Sequence, residues 1–447
     1  MKTTASFVTA LALGASSVLA GAGSALESRA NVVAVEVKGN AFFKGNERFY
    51  IRGLDYQPGG SAKKEDPIAD VDTCKRDIPL FEELGVNTIR VYHVDNSKNH
   101  DECMKLLADA GIYLVLDVNT PEYSINRRDP ETSYNHVYLQ SVFATVEMFA
   151  QYDNTLAFFS GNEVINDGET SVVAPWVKAV TRDIRQYLRE RKLRHVPVGY
   201  SAADIDTNRL ETAQYMNCGA DDERSDFFAF NDYSWCSPST FEVSGWDQKV
   251  KNFTDYGIPI FLSEYGCNTN KRDWGEVKAL YSTKMTGVYS GGLVYEFSQE
   301  PNNYGLVELG DGEPKKLPDF NRLKEAFKNT KNPSGDGGYN SSGGKTECPK
   351  KNEPNWDVEG DALPAIPAPA KKFMKDGAGE GPGFKGGSQN SGTRSSGTAT
   401  SSPTRTGSAT SSSAAMATRP AELGFAPLIG VAIVVISTIF GASLIMI

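Results

Sequence analysis

Between residues 50 and 300 the chain alternates short, continuously apolar runs with longer stretches in which apolar residues return every three or four positions. Tyr113-Leu114-Val115-Leu116 and Ile258-Pro259-Ile260-Phe261-Leu262 belong to the first kind, the mark of parallel strands covered on both faces. The pattern predicts a lead-in strand near 32–37 and then eight strands, at 50–55, 88–92, 113–118, 156–161, 196–201, 227–232, 258–264 and 292–297. Segments 75–84, 102–110, 138–151, 174–191 and 274–285 read as helices between them. Strand–helix alternation over about 280 residues predicts an α/β fold, a (β/α)8 TIM barrel. The competing architecture is an open doubly wound sheet, which more often carries a Gly-rich phosphate turn after its first strand. Here that strand runs into Asp55-Tyr56-Gln57-Pro58, which offers no phosphate cradle.

The two ends follow a different pattern. Lys2, an uncharged apolar stretch over 6–19 and the small residues Ala20 and Ala22 predict a secretory signal over residues 1–20. Residues 425–447 form a charge-free apolar run, and 17 of the 31 residues from 388 to 418 are Ser or Thr. The latter composition predicts a disordered, O-glycosylated stalk. A spanning anchor and a GPI signal both use an apolar terminal run. The order Ser413-Ala414-Ala415, a spacer over 416–422 and the tail fits the second, with attachment at Ser413. The predicted organisation is a signal peptide at 1–20, a barrel at 25–330, and an extension at 331–386 tethered by Cys348. A Ser/Thr-rich stalk at 387–413 and a removed GPI propeptide at 414–447 follow. Residues 354–386, rich in Pro, Gly and Ala, carry no structural prediction beyond packing of 357–363 against the barrel. The chain is then secreted to the cell surface and held at the outer leaflet of the plasma membrane. Asn252 and Asn340 lie in N-glycosylation sequons.

Composition narrows the chemistry. Of 447 residues, Asp and Glu outnumber Lys and Arg for a net charge of -10, unsuited to nucleic acid, which needs a basic face. The four histidines show no metal-ligand spacing. No Gly-rich nucleotide loop opens a helix, so neither a metal nor a cofactor is expected. No obligate protein partner is inferred. Six cysteines in a secreted chain suggest three disulfides among 15 connectivities.

A TIM barrel carries its chemistry at the carboxyl ends of its strands. Those ends present Asp55-Tyr56-Gln57, Arg90 and Tyr92, Asp117, Asn162-Glu163, Asp204, Asp232-Tyr233, Glu264-Tyr265 and Tyr295. Glu163 and Glu264 occupy the fourth and seventh ends, across the mouth from one another. Two facing carboxyls are what glycosidic cleavage requires: one gives a proton to the leaving oxygen, the other attacks or stabilises the anomeric carbon. Glu163 is assigned as acid/base and Glu264 as nucleophile. Asn162 is placed for the sugar 2-OH, and Tyr233 to donate its phenol proton to ionised Glu264. Among the strand-end aromatics, Tyr92 and Tyr295 are best placed to stack on pyranose faces. The competing assignment makes both glutamates structural partners of barrel arginines such as Arg52 or Arg90.

The G-N-E at 161–163, S-E-Y-G at 263–266, G-L-D-Y-Q-P-G at 53–59, I-R-V-Y at 89–92 and Y-S-A-A-D-I-D at 200–206 resemble the fungal 1,3-β-glucanosyltransferases of the Gel/Gas/Phr type, glycoside hydrolase family 72. The resemblance covers about residues 25–350. It implies a retaining barrel that cuts a β-1,3-glucan internally, holds the piece on Glu264 and transfers it to the non-reducing end of another β-1,3-glucan. Donor and acceptor glucans are the implied partners, with the protein facing the cell wall. The resemblance implies glucan contacts by Gln57, Tyr92, Asp117, Asn162, Asp204, Arg209, Tyr233 and Tyr295. With one cysteine after Cys267, the chain resembles the short subfamily that lacks a Cys-rich carbohydrate-binding module. The barrel order brings Cys74 near Cys103 and Cys236 near Cys267, leaving Cys218 for Cys348, and the resemblance implies the same pairs. Residue spacing does not separate transfer from hydrolysis by an endo-β-1,3-glucanase. A non-catalytic glucan-binding wall protein is the further alternative.

Overall fold

The computed structural model describes residues 32–391. The signal segment, Ser413, the propeptide and the stalk beyond residue 391 lie outside the described residues.

Three short strands, β1 (Val35–Lys38), β2 (Ala41–Lys44) and β3 (Glu47–Phe49), pair antiparallel, where the apolar pattern had suggested a single lead-in strand. The next eight are β4 (Ile51–Asp55), β5 (Thr88–Val91), β6 (Tyr113–Asp117), β7 (Thr155–Asn162), β8 (Val198–Ala203), β9 (Phe227–Asp232), β10 (Ile260–Tyr265) and β11 (Tyr289–Val294). They close into a barrel, each parallel to its neighbours, with β11 pairing back onto β4. The last strand lies three residues earlier than expected, so Tyr295 and Glu296 follow the strand instead of ending it. The helix expected over 274–285 is reduced to Gly275–Leu280: Trp274 before it is left-handed at φ 58°, and Tyr281 after it leaves the helical region at φ -99°, ψ 23°.

Two cores hold the barrel. Inward residues Ile51, Val115, Ala157, Phe159, Phe227, Ala229, Phe261 and Leu293 meet Phe42 and Phe49 from the antiparallel sheet, which plugs one end. Phe42 sits 6.1 Å from Phe227 and 5.9 Å from Phe261, ring centre to ring centre. Alternate residues of the same strands, such as Phe228, Phe230, Ile260 and Leu262, face the helices in a separate cluster, as the two-residue period requires. Cys74 joins Cys103, Cys218 joins Cys348, and Cys236 joins Cys267.

Past the barrel the chain forms a packed strap, where composition gave little reason to expect one. Trp356 is fully buried against Tyr215 at 5.4 Å, and the Ala378 amide donates to the Tyr187 hydroxyl at 2.9 Å. The Gly383 amide donates to Asn96 Oδ1 at 2.9 Å. The Gln389 side chain makes a two-way clasp with Ser124, accepting from its amide at 2.7 Å and donating to its carbonyl at 2.6 Å. Residues 387–391, read from sequence as the start of the stalk, therefore continue the extension. Widely spaced aromatic anchors and polar clasps hold it, and neither leaves a period in the sequence.

Asn252 is exposed at the end of the helix Trp246–Asn252. Asn340 is half-buried, its backbone carbonyl accepting from the Asn40 amide at 3.1 Å.

Candidate active site

Strict alternation along β10 would turn Glu264 outward with Ile260 and Leu262. The register prevents this: Leu262 pairs with Phe230 and Glu264 with the next residue, Asn231, so Ser263 is an extra residue. Such a bulge re-aims the side chains after it, and Ser263 and Glu264 both face the mouth. β7 shows the same device. Phe159 pairs with Gly199 and Asn162 with Ser201, three steps against two. Glu163 then adopts φ 48°, a left-handed conformation costing a non-glycine residue of order 1 kcal/mol. Both glutamates thus sit just past an irregularity in a barrel strand.

Glu264 is 8 % exposed and held by three donors. Tyr233 donates its hydroxyl to Oε2 at 2.6 Å and Tyr92 to Oε1 at 2.7 Å, while Arg90 Nη1 reaches Oε1 at 3.3 Å. Burial pushes its pKa up to about 7 against the pull of Arg90 and the two phenols, with the Glu163 charge adding to the rise. Glu163 is half-buried and its Oε1 accepts from Asn231 Nδ2 at 2.8 Å. Arg127 Nη2 donates to the Glu163 carbonyl at 2.5 Å, fixing the backbone behind the carboxyl. Asn162 Oδ1 accepts from Ser201 at 2.7 Å, and its Nδ2 makes no hydrogen bond among the described residues.

Beneath the pair lies a buried polar layer. Arg90, fully buried, forks onto Asp117 at 2.9 and 3.0 Å and also reaches the Ser263 carbonyl at 3.2 Å. Asp55 is fully buried, 4.0 Å from Arg90 Nη1, and neither carboxyl oxygen has a hydrogen-bond partner. Burial pushes its pKa well above the ordinary range against the pull of Arg90, which favours the neutral acid and leaves the short contacts of Arg90 to Asp117 and Glu264. Arg90 is thus the partner of Glu264, as the competing assignment had it. Arg52 instead serves the Phe327 and Thr330 carbonyls, at 3.1 and 2.6 Å.

The other residues singled out from sequence divide into groups. Tyr92 is 7 % exposed, with Arg90 4.2 Å over its ring and its hydroxyl on Glu264. It positions the carboxylate in place of offering a stacking face. Gln57 is buried, accepting from the Tyr92 amide at 3.2 Å and donating to the Glu65 carbonyl at 2.7 Å. Asp204 and Arg209 pair with one another, and Lys249 bridges Asp204 and Asp232 at 2.6 and 2.7 Å. Tyr295 is half-exposed beside Tyr233 at 6.2 Å. Tyr56, Trp235 and Tyr265 are buried in the helix-side core. Asn231, Arg127 and Tyr304 were not found from sequence. Asn231 had a readable signal, because it is polar at the inward position that follows Phe227 and Ala229. Tyr304, with its ring 5.5 Å from Tyr233, sits on a loop without periodicity.

A barrel whose fourth and seventh strands deliver facing glutamates to one mouth is the arrangement of a carboxylate-pair glycoside hydrolase. Residues 24–331 match the glucanosyltransferases, glycoside hydrolase family 72, and the chain belongs to that family. It is 73 % identical to the 1,3-beta-glucanosyltransferase gel1 of Aspergillus fumigatus over 383 residues, covering 86 % of this chain and 84 % of the relative. Identity to the 1,3-beta-glucanosyltransferase GAS5 of Saccharomyces cerevisiae is 52 % over 360 residues, 79 % of this chain and 74 % of the relative. Among solved structures, a mutant of Saccharomyces cerevisiae Gas2p in complex with laminaritetraose and laminaripentaose superposes with a TM-score of 0.71 at 37 % identity, covering 76 % of each chain.

Proposed function

We propose that the protein is a retaining 1,3-β-glucanosyltransferase. The observation that carries this reading is the unequal support of the two glutamates. Glu264 accepts from two phenols and a guanidinium, all of which favour an ionised carboxylate. Glu163 faces the same mouth with a single amide donor on its carboxyl. Glu264 attacks the anomeric carbon while Glu163 gives its proton to the departing glycosidic oxygen, forming a glycosyl-enzyme and releasing the reducing-end piece. Glu163, now ionised, takes the proton from the 3-hydroxyl of an acceptor glucan as that oxygen displaces Glu264. A new β-1,3 bond forms and both carboxyls return to their starting states. Transfer prevails over hydrolysis when the acceptor is held with its hydroxyl near the anomeric carbon.

Asn162 donates its unpartnered amide to the sugar 2-OH, an interaction that strengthens as the oxocarbenium-like state develops. Tyr233 and Tyr295 present half-exposed rings to the glucan and Asp204 and Arg209 contact it from the loop after β8, while the buried Gln57, Tyr92 and Asp117 hold Glu264 and Arg90 in place from beneath. The relatives' names and the laminari-oligosaccharides held by Gas2p support a β-1,3-glucan substrate. The protein acts outside the cell at the wall, carried by the signal at 1–20 and a GPI anchor at Ser413, with glycans on Asn252 and Asn340. Among the described residues no helix is long and apolar enough to cross a membrane. Incubation with a reduced laminari-oligosaccharide tests the activity. Transfer yields products longer than the starting sugar, and a site that only hydrolyses yields shorter ones alone.

A further inference from the structure

Glu264 is flanked by a wall of three half-exposed tyrosines. Tyr295 and Tyr304 lie 5.2 Å apart, and Tyr233 is 6.2 and 5.5 Å from them, all edge to face. Tyr295 and Tyr304 stand on the loop after β11, where the Tyr295 amide donates to the Tyr265 carbonyl at 2.9 Å and the Glu296 amide to the Tyr304 carbonyl at 3.3 Å. Under this loop lies Arg272, 2 % exposed. Its Nη1 donates to the Tyr295 carbonyl at 3.1 Å. Its Nη2 donates to the carbonyls of Tyr304 at 2.8 Å and Gly305 at 3.4 Å. Nε pairs with Asp319 at 2.5 Å on the helix Pro318–Asn329, and the guanidinium lies 4.6 Å over the Trp274 ring. Asn268, four residues before Arg272, donates to the Asn302 carbonyl of the same loop at 2.9 Å.

We propose that Arg272 is a positioning residue for glucan binding, fixing the Tyr295 and Tyr304 rings through their carbonyls. A buried guanidinium needs partners for five donors, and three of its contacts here are carbonyls on this one loop. The planar fork reaches the Tyr295 and Tyr304 carbonyls from two separate nitrogens held in one plane, where a lysine has a single nitrogen on a flexible stem. Arg272 touches neither glutamate, so its action falls on the sugar-facing wall and leaves the chemistry intact. The proposal rests on the glucan-transferring activity proposed above.

The test is steady-state kinetics of the full-length secreted protein on laminari-oligosaccharides, with wild type measured first. Arg272→Ala raises KM about tenfold or more while kcat falls less than about threefold and its pH profile stays in place, the split expected when binding is lost and chemistry kept. Arg272→Lys, which keeps the charge and one carbonyl contact, recovers part of the KM. Asp319→Asn retains an acceptor for Nε, so it lowers the melting temperature with KM unchanged. An Arg272→Ala enzyme with wild-type KM overturns the proposal, as does a fall in kcat at constant KM. If that variant is not secreted, Arg272→Lys decides by the same split, because any loss of the fork must appear in KM. A wild-type protein that leaves the oligosaccharides untouched overturns the proposed activity itself, which no behaviour of Arg272 can do.

Discussion

The two ends of the barrel interior are built by opposite rules. At the plugged end, Ile51, Phe159, Phe227, Phe261 and Leu293 obey the two-residue alternation and interlock with Phe42 and Phe49. At the mouth that alternation breaks on both strands that carry a glutamate, and the space fills with Asp55, Arg90, Asp117 and Glu264. Burying such groups costs free energy even when they are paired. The regular end supplies the stability that lets the irregular end hold a left-handed Glu163 and an unpartnered Asp55. Stability and chemistry should therefore be separable by mutation.

The largest effect is expected at the mouth. Glu264→Gln lowers kcat/KM by about ten-thousandfold and Glu163→Gln by a hundredfold or more, on the order expected for lost nucleophilic and general-acid catalysis. Melting temperatures should stay close to wild type, and a comparable loss of folding would merge the two ends. At the plugged end the reverse holds. Phe42→Ala costs about 3–5 kcal/mol in denaturant unfolding, while activity per folded molecule is kept.

Smaller changes probe the electrostatics of the mouth. Tyr233→Phe removes a donor that favours ionised Glu264, so the Glu264 pKa rises from about 7. Because the nucleophile must be ionised, the acid limb of kcat/KM moves to higher pH, by about one unit, which is roughly tenfold at low pH. An acid limb that moves down or stays still contradicts the assignment. Gln389→Ala breaks the clasp on Ser124, with a loss of about 1 kcal/mol seen as faster amide exchange in residues 119–135. Asp55→Asn should be the mildest, changing kcat/KM less than about threefold, because burial favours the neutral form of Asp55 that Asn mimics. A downward shift of the acid limb by a unit would mean that Asp55 carries charge and repels Glu264.

The comparison also explains what the sequence could and could not reveal. Continuous apolar runs such as 113–116 exposed the strands, and strand ends located Glu163 and Glu264, because both signals are local. A bulge is a relation between two strands, so nothing in Leu262-Ser263-Glu264 shows that the last two face the same way. Period two alone would have placed Glu264 against the helices. Arg90 could be read as a partner of a glutamate, but its division between Asp117 and Glu264 depends on tertiary distances. Arg127, Arg272 and Tyr304 lie on loops, where function leaves no period. Past residue 354 the expected packing of 357–363 is present, with Val358 and Leu363 in the helix-side core, while the rest of the strap escaped detection because Trp356 and Gln389 are single anchors in a stretch that otherwise reads as linker.

The division of labour between the two glutamates is tested most directly by trapping. A laminari-oligosaccharyl fluoride substituted with fluorine at the sugar's second carbon slows both steps but slows release more, so a covalent intermediate accumulates. Mass spectrometry of peptides from the trapped enzyme should place the sugar on the peptide containing Glu264, one label per chain. A label on Glu163, or an active enzyme that never becomes labelled, would contradict the account.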